Sequence, residues 1–440
     1  MPTFPPGPRS ATLQTLAFAR DPVGTLHTYA RCYGDPFTLK LFTGPIVLTG
    51  RPEGIQEIFT ASPQIYASNS ITFLAPLTGE RSILMLDGAP HRRERALLMP
   101  PLHGARMKVY GALIQDIALS RAGAWQPRQA FMMQAFTQAL SLEVIIKAVF
   151  GVQSQERVEH FLSIIAAYFQ AFTASLVYFP PLRRSFAGLG PWHRFAEVAA
   201  RFERLLSEEI ATRRQDLDDR HDILSLLLAA RYEDGSAMSA EGLRDELKTL
   251  LLAGHETTAI ALAWAFYWLH RQPDVYHCLQ AELNGMDQPP DPDDLLRLPY
   301  LSAVCDEALR LYPVIGAITR RLREPMTLCG YALPAGIAVG AAVALTHLDP
   351  MLYPDPHRFR PERFFERAYT PFEYLPFGGG ARRCIGAAFA VYEMKIVLGT
   401  ILAQHRLGLV DDRPLKPKPR TFTIGPQEGV RMLYYGLVEK

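Results

Sequence analysis

One long helical pattern constrains the fold of this chain more than any other feature. From residue 239 to residue 270, apolar side chains recur at helical spacing, no proline interrupts them, and the run becomes strongly apolar toward its end. His255 and Glu256 stand inside the apolar part, which favours a buried helix over a membrane span. The rest of the chain must therefore supply elements that bury this helix.

The same spacing predicts helices along most of the chain. We expect them at 91–99, 108–124, 129–150, 155–178, 190–214, 221–231, 273–285, 299–311 and about 385–403. Short β elements are expected in a hairpin at 36–50, through 318–345 and in the tail 406–440, and about 35 proline-punctuated opening residues are expected to be extended. We therefore predict a mainly α protein with small β-sheets and a proline-rich lead-in at 1–10.

Composition narrows the classes of protein. The chain is 48% hydrophobic and 20% charged with a formal net charge of +2, so its charge alone indicates neither a nucleic-acid partner nor an acidic one. No signal peptide is visible, and the uncharged stretch 331–346 is short and broken by proline and glycine. We therefore expect no membrane anchor and a cytoplasmic location. The five cysteines contain no CxxC pair, which argues against a disulfide framework or a structural zinc site.

The stretch FGGGARRCIG, residues 377–386, places a cysteine behind glycines and beside arginines. The glycines allow positive φ and a close approach of backbone to a flat ligand. Cys384 comes just before a run with helical periodicity, and a helix N-terminus favours the thiolate form of cysteine. Taken alone, Cys384 would more often be a small buried hydrophobe. The surrounding string makes a metal ligand the better hypothesis.

Five specified positions in this loop, F-x-x-G-x-R-x-C-x-G, resemble the haem-binding signature of cytochromes P450. The resemblance implies haem b as cofactor, with Cys384 as the axial thiolate of its iron. It also implies that Phe377 shields the sulfur, that Arg382 pairs with a haem propionate and that Gly386 lets the helix start approach the porphyrin. The implied fold is a single triangular helical domain over 1–440, with haem between the long central helix and the helix after the cysteine.

A second signature, AGHETT at 253–258, interrupts the apolar part of the long helix with an acid and hydroxyls. It is not the zinc motif HExxH, because Ala259 stands where the second histidine would be. A helix bend, with Thr257 bonding back to a carbonyl, is the alternative. The stretch resembles the distal acid–alcohol pair of the P450 family, which implies that Glu256 and Thr257 deliver protons during O₂ activation. Ala253 would leave room beside the iron.

Two further motifs follow in the order of the P450 family. EALR puts Glu307 and Arg310 on one helix face, and PERF supplies Arg363. Such pairs are common on surfaces and contribute little there. The resemblance implies a structural role for these three residues, which would hold the cysteine loop in place.

Additional haem contacts are implied by the same resemblance. His91 and Arg95 stand four residues apart near the start of a helix, where residues of this kind commonly form a solvated basic face. In the P450 family such a pair contacts the haem propionates. Arg320 in AITRRLRE is expected to do the same from a strand, with Arg321 as the competing register.

The expected walls of the substrate pocket follow from family position and are almost all uncharged, although any of them could instead be core. They are Ile71, Phe73, Leu74, Leu77, Phe172, Leu250, Ala253, Val314, Ile315, Ala317, Thr423 and Ile424. We therefore expect a hydrophobic substrate held mainly by burial. Long-chain fatty acids and terpenoids or other secondary metabolites are rivals, as in the cyanobacterial and myxobacterial P450s that the chain resembles most.

Electrons should come from a separate protein. No flavin- or NAD-binding stretch is apparent, and the P450-like unit consumes the chain. We expect a ferredoxin with its reductase, attracted by Arg92, Arg93, Arg383 and Lys395, and a monomeric enzyme.

The sequence thus predicts a cytochrome P450 monooxygenase that inserts one atom of O₂ into a C–H or C=C bond of a hydrophobic molecule. A peroxygenase or isomerase with the same fold is one alternative, and a non-enzymatic haem-based sensor is another. The intact Glu256–Thr257 pair argues against the first, since such enzymes need no proton relay for O₂, and the pair together with the apolar pocket argues against the second.

Overall fold

The long helical pattern forms the helix Ala240–Arg271, which has 32 residues. From Ala259 to Phe266 every side chain is buried, so the apolar end of the pattern lies in the core. The computed structural model describes residues 4–67, 72–104, 107–173, 176, 180–185, 188–216, 222–420 and 423–438.

Helices carry most of the chain. They are Ala11–Arg20, Pro22–Tyr33, Pro52–Thr60, Ala75–Thr78, Gly88–Leu98, Met107–Ala122, Met133–Phe150, Gln155–Ala171, Pro191–Gln215, Ile223–Ala229, Ala240–Arg271, Pro273–Leu283, Pro292–Arg297, Pro299–Leu311, Val343–His347, Arg363–Glu366 and Ala387–Gln404. The strands β1 to β12 are Phe37–Leu41, Gly44–Thr49, Tyr66–Ala67, Ala130–Met132, Ile318–Leu322, Met326–Leu328, Tyr331–Leu333, Ala338–Ala341, His405–Leu409, Pro417–Pro419, Ile424–Pro426 and Arg431–Leu437. The predicted mainly α class with small sheets is confirmed.

The chain divides into two compact units. The first unit holds residues 1–70, 114–137 and 257–440, and the second holds 71–113 and 138–256. Every strand named above belongs to the first unit. The long helix continues from one unit into the other, so that Glu256 belongs to the second unit and Thr257 to the first.

The largest sheet of the first unit has the strand order β1–β2–β8–β5–β3. β2 and β8 run parallel, and the other neighbours are antiparallel. In β5, Arg320 pairs with Val339 and Arg321 with Ala338 of β8. Because successive residues of a strand face opposite sides of the sheet, Arg320 and Arg321 point in opposite directions.

Apolar residues cover both faces of this sheet. On one face Val47 packs in a cluster with Ile55 and Ile58, and on the other Leu48 packs in a cluster with Leu26. Burying a side chain of this size stabilises the fold by about 1.5–3 kcal/mol. The two clusters make the sheet a firm support for the residues that β5 carries.

The expected extended lead-in is wrong beyond residue 10. Two helices, Ala11–Arg20 and Pro22–Tyr33, occupy this part of the chain. The Ser10 hydroxyl and the Asp21 carboxylate cap them by accepting backbone N–H bonds. Pro22 stands in the first turn, where no intrahelical N–H bond is needed, so this proline marks a helix start. The predicted hairpin at 36–50 is confirmed as β1 and β2.

The helix Met133–Phe150 begins later than the predicted 129, because residues 130–132 pair with β12 as strand β4. This helix and Ala387–Gln404 are the two in the described ranges that are long and apolar enough to cross a membrane. In each, 72% of the apolar window is buried inside the protein, as is typical of core helices.

Candidate active site

The cysteine loop, residues 377–386, is closed by a backbone hydrogen bond from the Cys384 N–H to the Phe377 carbonyl, 2.9 Å long. Gly378 and Gly380 have φ of 66° and 63°, in the left-handed region that favours glycine. These two glycines therefore shape the turn that brings the cysteine back toward the start of its own loop.

Two of the glycines also make room for a residue that the sequence did not single out. A Cβ at Gly379 would lie 2.3 Å from the ring of Phe59, and one at Gly380 would lie 2.5 Å from the Phe59 carbonyl oxygen. Phe59 is the last buried residue of the helix Pro52–Thr60. No motif marks it as a neighbour of the cysteine loop.

The Cys384 thiol lies where a ligand can reach it. Its side chain is exposed, whereas Cys305 is fully buried, and burial raises the pKa of the Cys305 thiol. Gly386 precedes the helix Ala387–Gln404, and a Cβ on it would meet no atom within 4 Å. A helix start supplies N–H donors and the positive end of the helix dipole to a thiolate. An accessible cysteine sulfur beside an open glycine fits the axial ligand of a haem.

Two arginines accompany the loop. Arg320 is buried and donates a 2.7 Å hydrogen bond to the Gly379 carbonyl, with its guanidinium 5.4 Å from the Phe59 ring centre and 5.7 Å from that of Tyr66. Burial, together with the positive charge of Arg382, lowers the pKa of Arg320 to about 10. Two guanidinium groups that repel one another fit a shared anionic partner, such as a haem propionate.

Arg321 is turned away from the cysteine loop. It donates hydrogen bonds to the carbonyls of Gly336, at 2.7 Å, and Thr43, at 3.3 Å. Of the two register candidates, Arg320 is therefore the one that the sheet brings to the loop.

Glu307, Arg310 and Arg363 form a buried ion network in which all three side chains are 0% exposed. Arg310 donates to both Glu307 oxygens, at 2.6 and 2.8 Å, and Arg363 Nε lies 3.1 Å from Glu307 Oε1. Bidentate arginine–carboxylate bonds are both strong and directional. The structure thus brings together three residues that stand up to 56 positions apart.

The two arginines use their remaining donors on backbone carbonyls. Arg310 donates to His347, at 2.6 Å, and to Pro356, at 2.9 Å, and Arg363 donates to Pro354, at 3.1 Å. Because each bond ends on main chain, the network fixes the path of the segment that precedes PERF.

The AGHETT stretch is accessible although the helix around it is buried. Ala253 is exposed and residues 254–257 are half-buried, whereas Leu252 and Thr258 are buried. The polar groups of this stretch are therefore accessible in the middle of an apolar helix.

The neighbours of the acid–alcohol pair serve packing. A Cβ at Gly254 would lie 2.9 Å from Ile145 Cδ1, so the glycine admits the helix Met133–Phe150. His255 bonds to the Leu251 carbonyl at 2.7 Å and stacks on Phe169 at 4.9 Å. Burial lowers the pKa of His255 to about 4, so this ring is neutral in the physiological range.

His91 and Arg95 lie on one face of the helix Gly88–Leu98 in the second unit. His91 is buried and Arg95 is half-buried. Neither residue belongs to a fully solvated basic face.

The predicted substrate walls of the first unit partly converge. The Ile424 N–H donates to the Val314 carbonyl at 2.9 Å, which joins the start of β11 to the segment after the Glu307 helix. Thr423 is buried, and its hydroxyl has no partner among the described residues. Ile315 is half-buried, and Ala317 packs against the Leu26 cluster of the sheet.

The walls of the second unit are mostly buried. Leu74, Leu77, Phe172 and Leu250 are buried, and Phe73 is half-buried. The Leu77 carbonyl accepts a 2.7 Å hydrogen bond from Tyr168. Ile71 lies outside the described residues.

The four cations expected to attract a redox partner differ in availability. Arg92 and Arg383 are exposed. Arg93 is paired with Asp234 at 2.9 Å, and Lys395 is half-buried and donates to the Leu296 carbonyl at 3.1 Å. Arg92 and Arg383 are therefore the better candidates for contact with an acidic protein.

Comparison with known proteins agrees with this geometry. The family model for cytochrome P450 matches residues 1–431. Cytochrome P450 138 of Mycobacterium tuberculosis is 36% identical over 98% of this chain and 96% of its own, and the mycobacterial cytochrome P450 135B1 is 35% identical over 98% and 91%. A solved structure, retinoic acid bound cyanobacterial CYP120A1, superposes with a TM-score of 0.90 at 26% identity, covering 99% of this chain and 100% of the other.

The fold and the cysteine loop define a haem-thiolate protein, and the chain belongs to the cytochrome P450 family. It is a P450 monooxygenase with haem b as its cofactor. Membership of the family also implies a hydrophobic substrate and a redox partner.

Proposed function

We propose that this P450 hydroxylates or epoxidises a long apolar molecule that carries a carboxylate, either a fatty acid or a terpenoid acid or similar secondary metabolite. The uncharged, mostly buried wall residues support the apolar part of this proposal. CYP120A1, the cyanobacterial relative, is named with retinoic acid as its bound ligand, which is an apolar carboxylic acid.

The position of Arg183 is the observation that supports a carboxylate on the substrate. Its Nη2 lies 3.4 Å from the Phe73 carbonyl, and its guanidinium lies 5.8 Å from the ring centre of Phe172, so it contacts two of the proposed walls. Its Nε donates to the Leu176 carbonyl at 2.7 Å, which holds the group in place. Burial lowers the pKa of Arg183, but a guanidinium stays protonated at any physiological pH. A half-buried fixed cation beside apolar walls favours an anionic head group.

The protein's own residues divide the work of catalysis. When bound, thiolate-ligated haem activates O₂. Cys384 is proposed to hold the iron, with Phe377 and Gly386 shaping its surroundings, and Glu256 and Thr257 are proposed to pass protons toward the reacting oxygen. Propionate contacts are proposed for Arg320, Arg382, His91 and Arg95. Ala253 and the walls named above would position the substrate.

The remaining roles concern support and supply. Glu307, Arg310 and Arg363 are proposed to hold the cysteine loop. We propose that residues 1–440 act as one haem domain, as a monomer in the cytoplasm. Electrons are proposed to come from a ferredoxin with its reductase, bound through Arg92 and Arg383.

A titration of the haem spectral shift with matched ligands tests the carboxylate. A long-chain acid should bind at least about tenfold more tightly than its methyl ester, because one charge-assisted bond contributes about 1.5–3 kcal/mol. Arg183→Gln should abolish this preference, and the matched control Arg184→Gln, which changes an exposed neighbour, should retain it. Equal binding of acid and ester by the unmodified protein would contradict the proposal, as would a preference that survives in Arg183→Gln.

A further inference from the structure

We infer that His347 is a positioning residue for the haem thiolate, because one imidazole joins the Glu307 ion network to Leu375, two residues before the cysteine loop. The inference rests on the proposed role of Cys384 as the iron ligand. It assigns a task to a residue that carries no sequence motif.

His347 ends the helix Val343–His347 and is 0% exposed. Its Nδ1 lies 3.1 Å from the Arg310 carbonyl, and its Nε2 lies 3.0 Å from the backbone nitrogen of Leu375. Arg310 returns the contact, since its Nη1 donates to the His347 carbonyl at 2.6 Å. His347 is therefore held from both its backbone and its ring.

These partners allow the ring only one protonation state. A carbonyl can only accept, so Nδ1 must carry a proton, and a backbone N–H can only donate, so Nε2 must be bare. Burial and the charge of Arg310 lower the pKa of His347 to about 3, which agrees with a neutral ring. The imidazole is thus fixed in the Nδ1–H tautomer.

Backbone hydrogen bonds connect Leu375, the partner of the His347 ring, to the cysteine loop. The Leu375 carbonyl accepts a 3.0 Å bond from Gly378, and the Phe377 carbonyl accepts the 2.9 Å bond from Cys384. The ring of Tyr374 stacks on His347 at 5.6 Å, and its hydroxyl bonds to Asp306 Oδ1 at 3.0 Å. Tyr374 and Leu375, which lead into the cysteine loop, are therefore both connected to the helix that carries Glu307: Tyr374 through Asp306, and Leu375 through His347 and Arg310.

Two physical arguments connect these contacts to the metal. A buried backbone N–H that loses its acceptor is costly, so the Leu375 segment should move when the imidazole is removed. Groups beyond the direct ligands orient those ligands and tune the metal they bind. A displaced loop should therefore weaken thiolate ligation before the protein unfolds.

The test compares three variants by the lifetime of the far-red-shifted Soret band of the reduced carbon-monoxide complex, which reports thiolate ligation. His347→Leu should shorten this lifetime by about tenfold or more, the size expected for one unsatisfied buried group. His347→Gln, which can both donate and accept, should recover most of it. His270→Leu is the control, because His270 is also a neutral histidine of the first unit, half-buried where His347 is fully buried, and its Nδ1 bonds to the Phe266 carbonyl of its own helix at 2.7 Å.

Lifetimes are compared at equal distance below each variant's melting temperature. Equal losses in His347→Leu and His270→Leu would reduce His347 to a general stabilising role and overturn the inference. Failure of His347→Gln to recover the lifetime would do the same.

A second measurement needs no variant. Nitrogen NMR of the labelled protein should show His347 as the Nδ1–H tautomer from about pH 5 to about pH 9. An Nε2–H tautomer or a charged ring would overturn the inference even if His347→Leu fails to fold. Loss of the Soret signature is also expected in Cys384→Ser, and its persistence there would instead overturn the proposed iron ligand.

Discussion

Two buried glutamates, one in each unit, differ in the partners that surround their carboxyl groups. Glu307 and Glu246 are both 0% exposed. Glu307 Oε1 and Oε2 accept bonds from two arginines. Glu246, on the long helix, accepts one bond from the Ile83 N–H at 2.6 Å, and its Oε2 has no partner in the described part of the chain.

The partners decide which charge state burial permits. A carboxylate between arginines is compensated, and removing either sign leaves the other uncompensated. Without a cation, burial itself disfavours the ionised form. Burial, with the charge of Glu94 as a second cause, raises the pKa of Glu246 well above its ordinary value. Equal burial of the same residue type therefore gives a carboxyl group held between two arginines in one unit and an acid with a raised pKa in the other.

The largest effect should come from removing the Glu307 charge. Glu307→Gln leaves Arg310 and Arg363 buried beside each other without a counter-ion, and we expect a loss of about 3–5 kcal/mol in the free energy of unfolding. Chemical denaturation measures it. The control is Glu366→Gln, which breaks the more exposed pair with Arg360 and should cost less than about 1 kcal/mol. Similar losses in the free energy of unfolding for Glu307→Gln and Glu366→Gln would contradict the view that the buried Glu307 charge is the more important one.

A second buried ion network, in the second unit, allows the same comparison: removing one charge should again leave the opposite charge uncompensated. Arg213 lies between Glu209, at 3.0 Å, and Asp222, at 2.5 Å, with all three side chains nearly fully buried. Arg213→Met should destabilise by about 3 kcal/mol at neutral pH, because two carboxylates lose their shared cation. Arg213→Lys, which keeps a positive charge between the two carboxylates, should lose less. A loss in Arg213→Lys as large as that in Arg213→Met would mean that packing, not charge, dominates at this site.

The smallest effect should come from Glu246→Gln, which replaces a mostly neutral acid with a neutral amide of the same shape. A carboxyl whose folded-state pKa is raised holds its proton more tightly in the folded protein. The unmodified protein therefore loses stability as pH rises above the ordinary glutamate value of 4.5 toward the folded pKa.

The Glu246→Gln variant escapes this loss. Relative to the unmodified protein it should be near neutral at about pH 5 and should gain stability steadily as the pH rises toward about 8. Denaturation curves at the two pH values measure the change. Glu241→Gln, at an exposed position of the same helix, is the control and should show no such trend. If the stability difference between Glu246→Gln and the unmodified protein does not change with pH, or falls as pH rises, Glu246 does not hold a proton in the folded protein.

The sequence could predict those parts of the site that are local. Cys384 and the start of its helix stand within a few residues of each other, so a short string is enough to place a thiol at a helix N-terminus. Glu307 and Arg310 share a helix face for the same reason. The long helix was also predictable, because its apolar spacing extends over many turns.

The sequence could not predict the contacts that cross the chain. Phe59 against Gly379 and His347 against Leu375 join segments with no motif in common. The helices before residue 34 were missed because prolines at helix starts and prolines in extended chain look alike until the caps are seen.

By itself the sequence determined which reactive groups this protein carries, namely a cysteine at a helix start and an acid and an alcohol inside an apolar helix, and the family to which the chain belongs. Only the tertiary structure decided that Arg320 and not Arg321 faces the cysteine loop, and that Glu307 is paired with cations while Glu246 is not. The reason is physical. Residue type and spacing fix what a side chain can do, but burial and partners, which set its charge, come from residues far away in the chain.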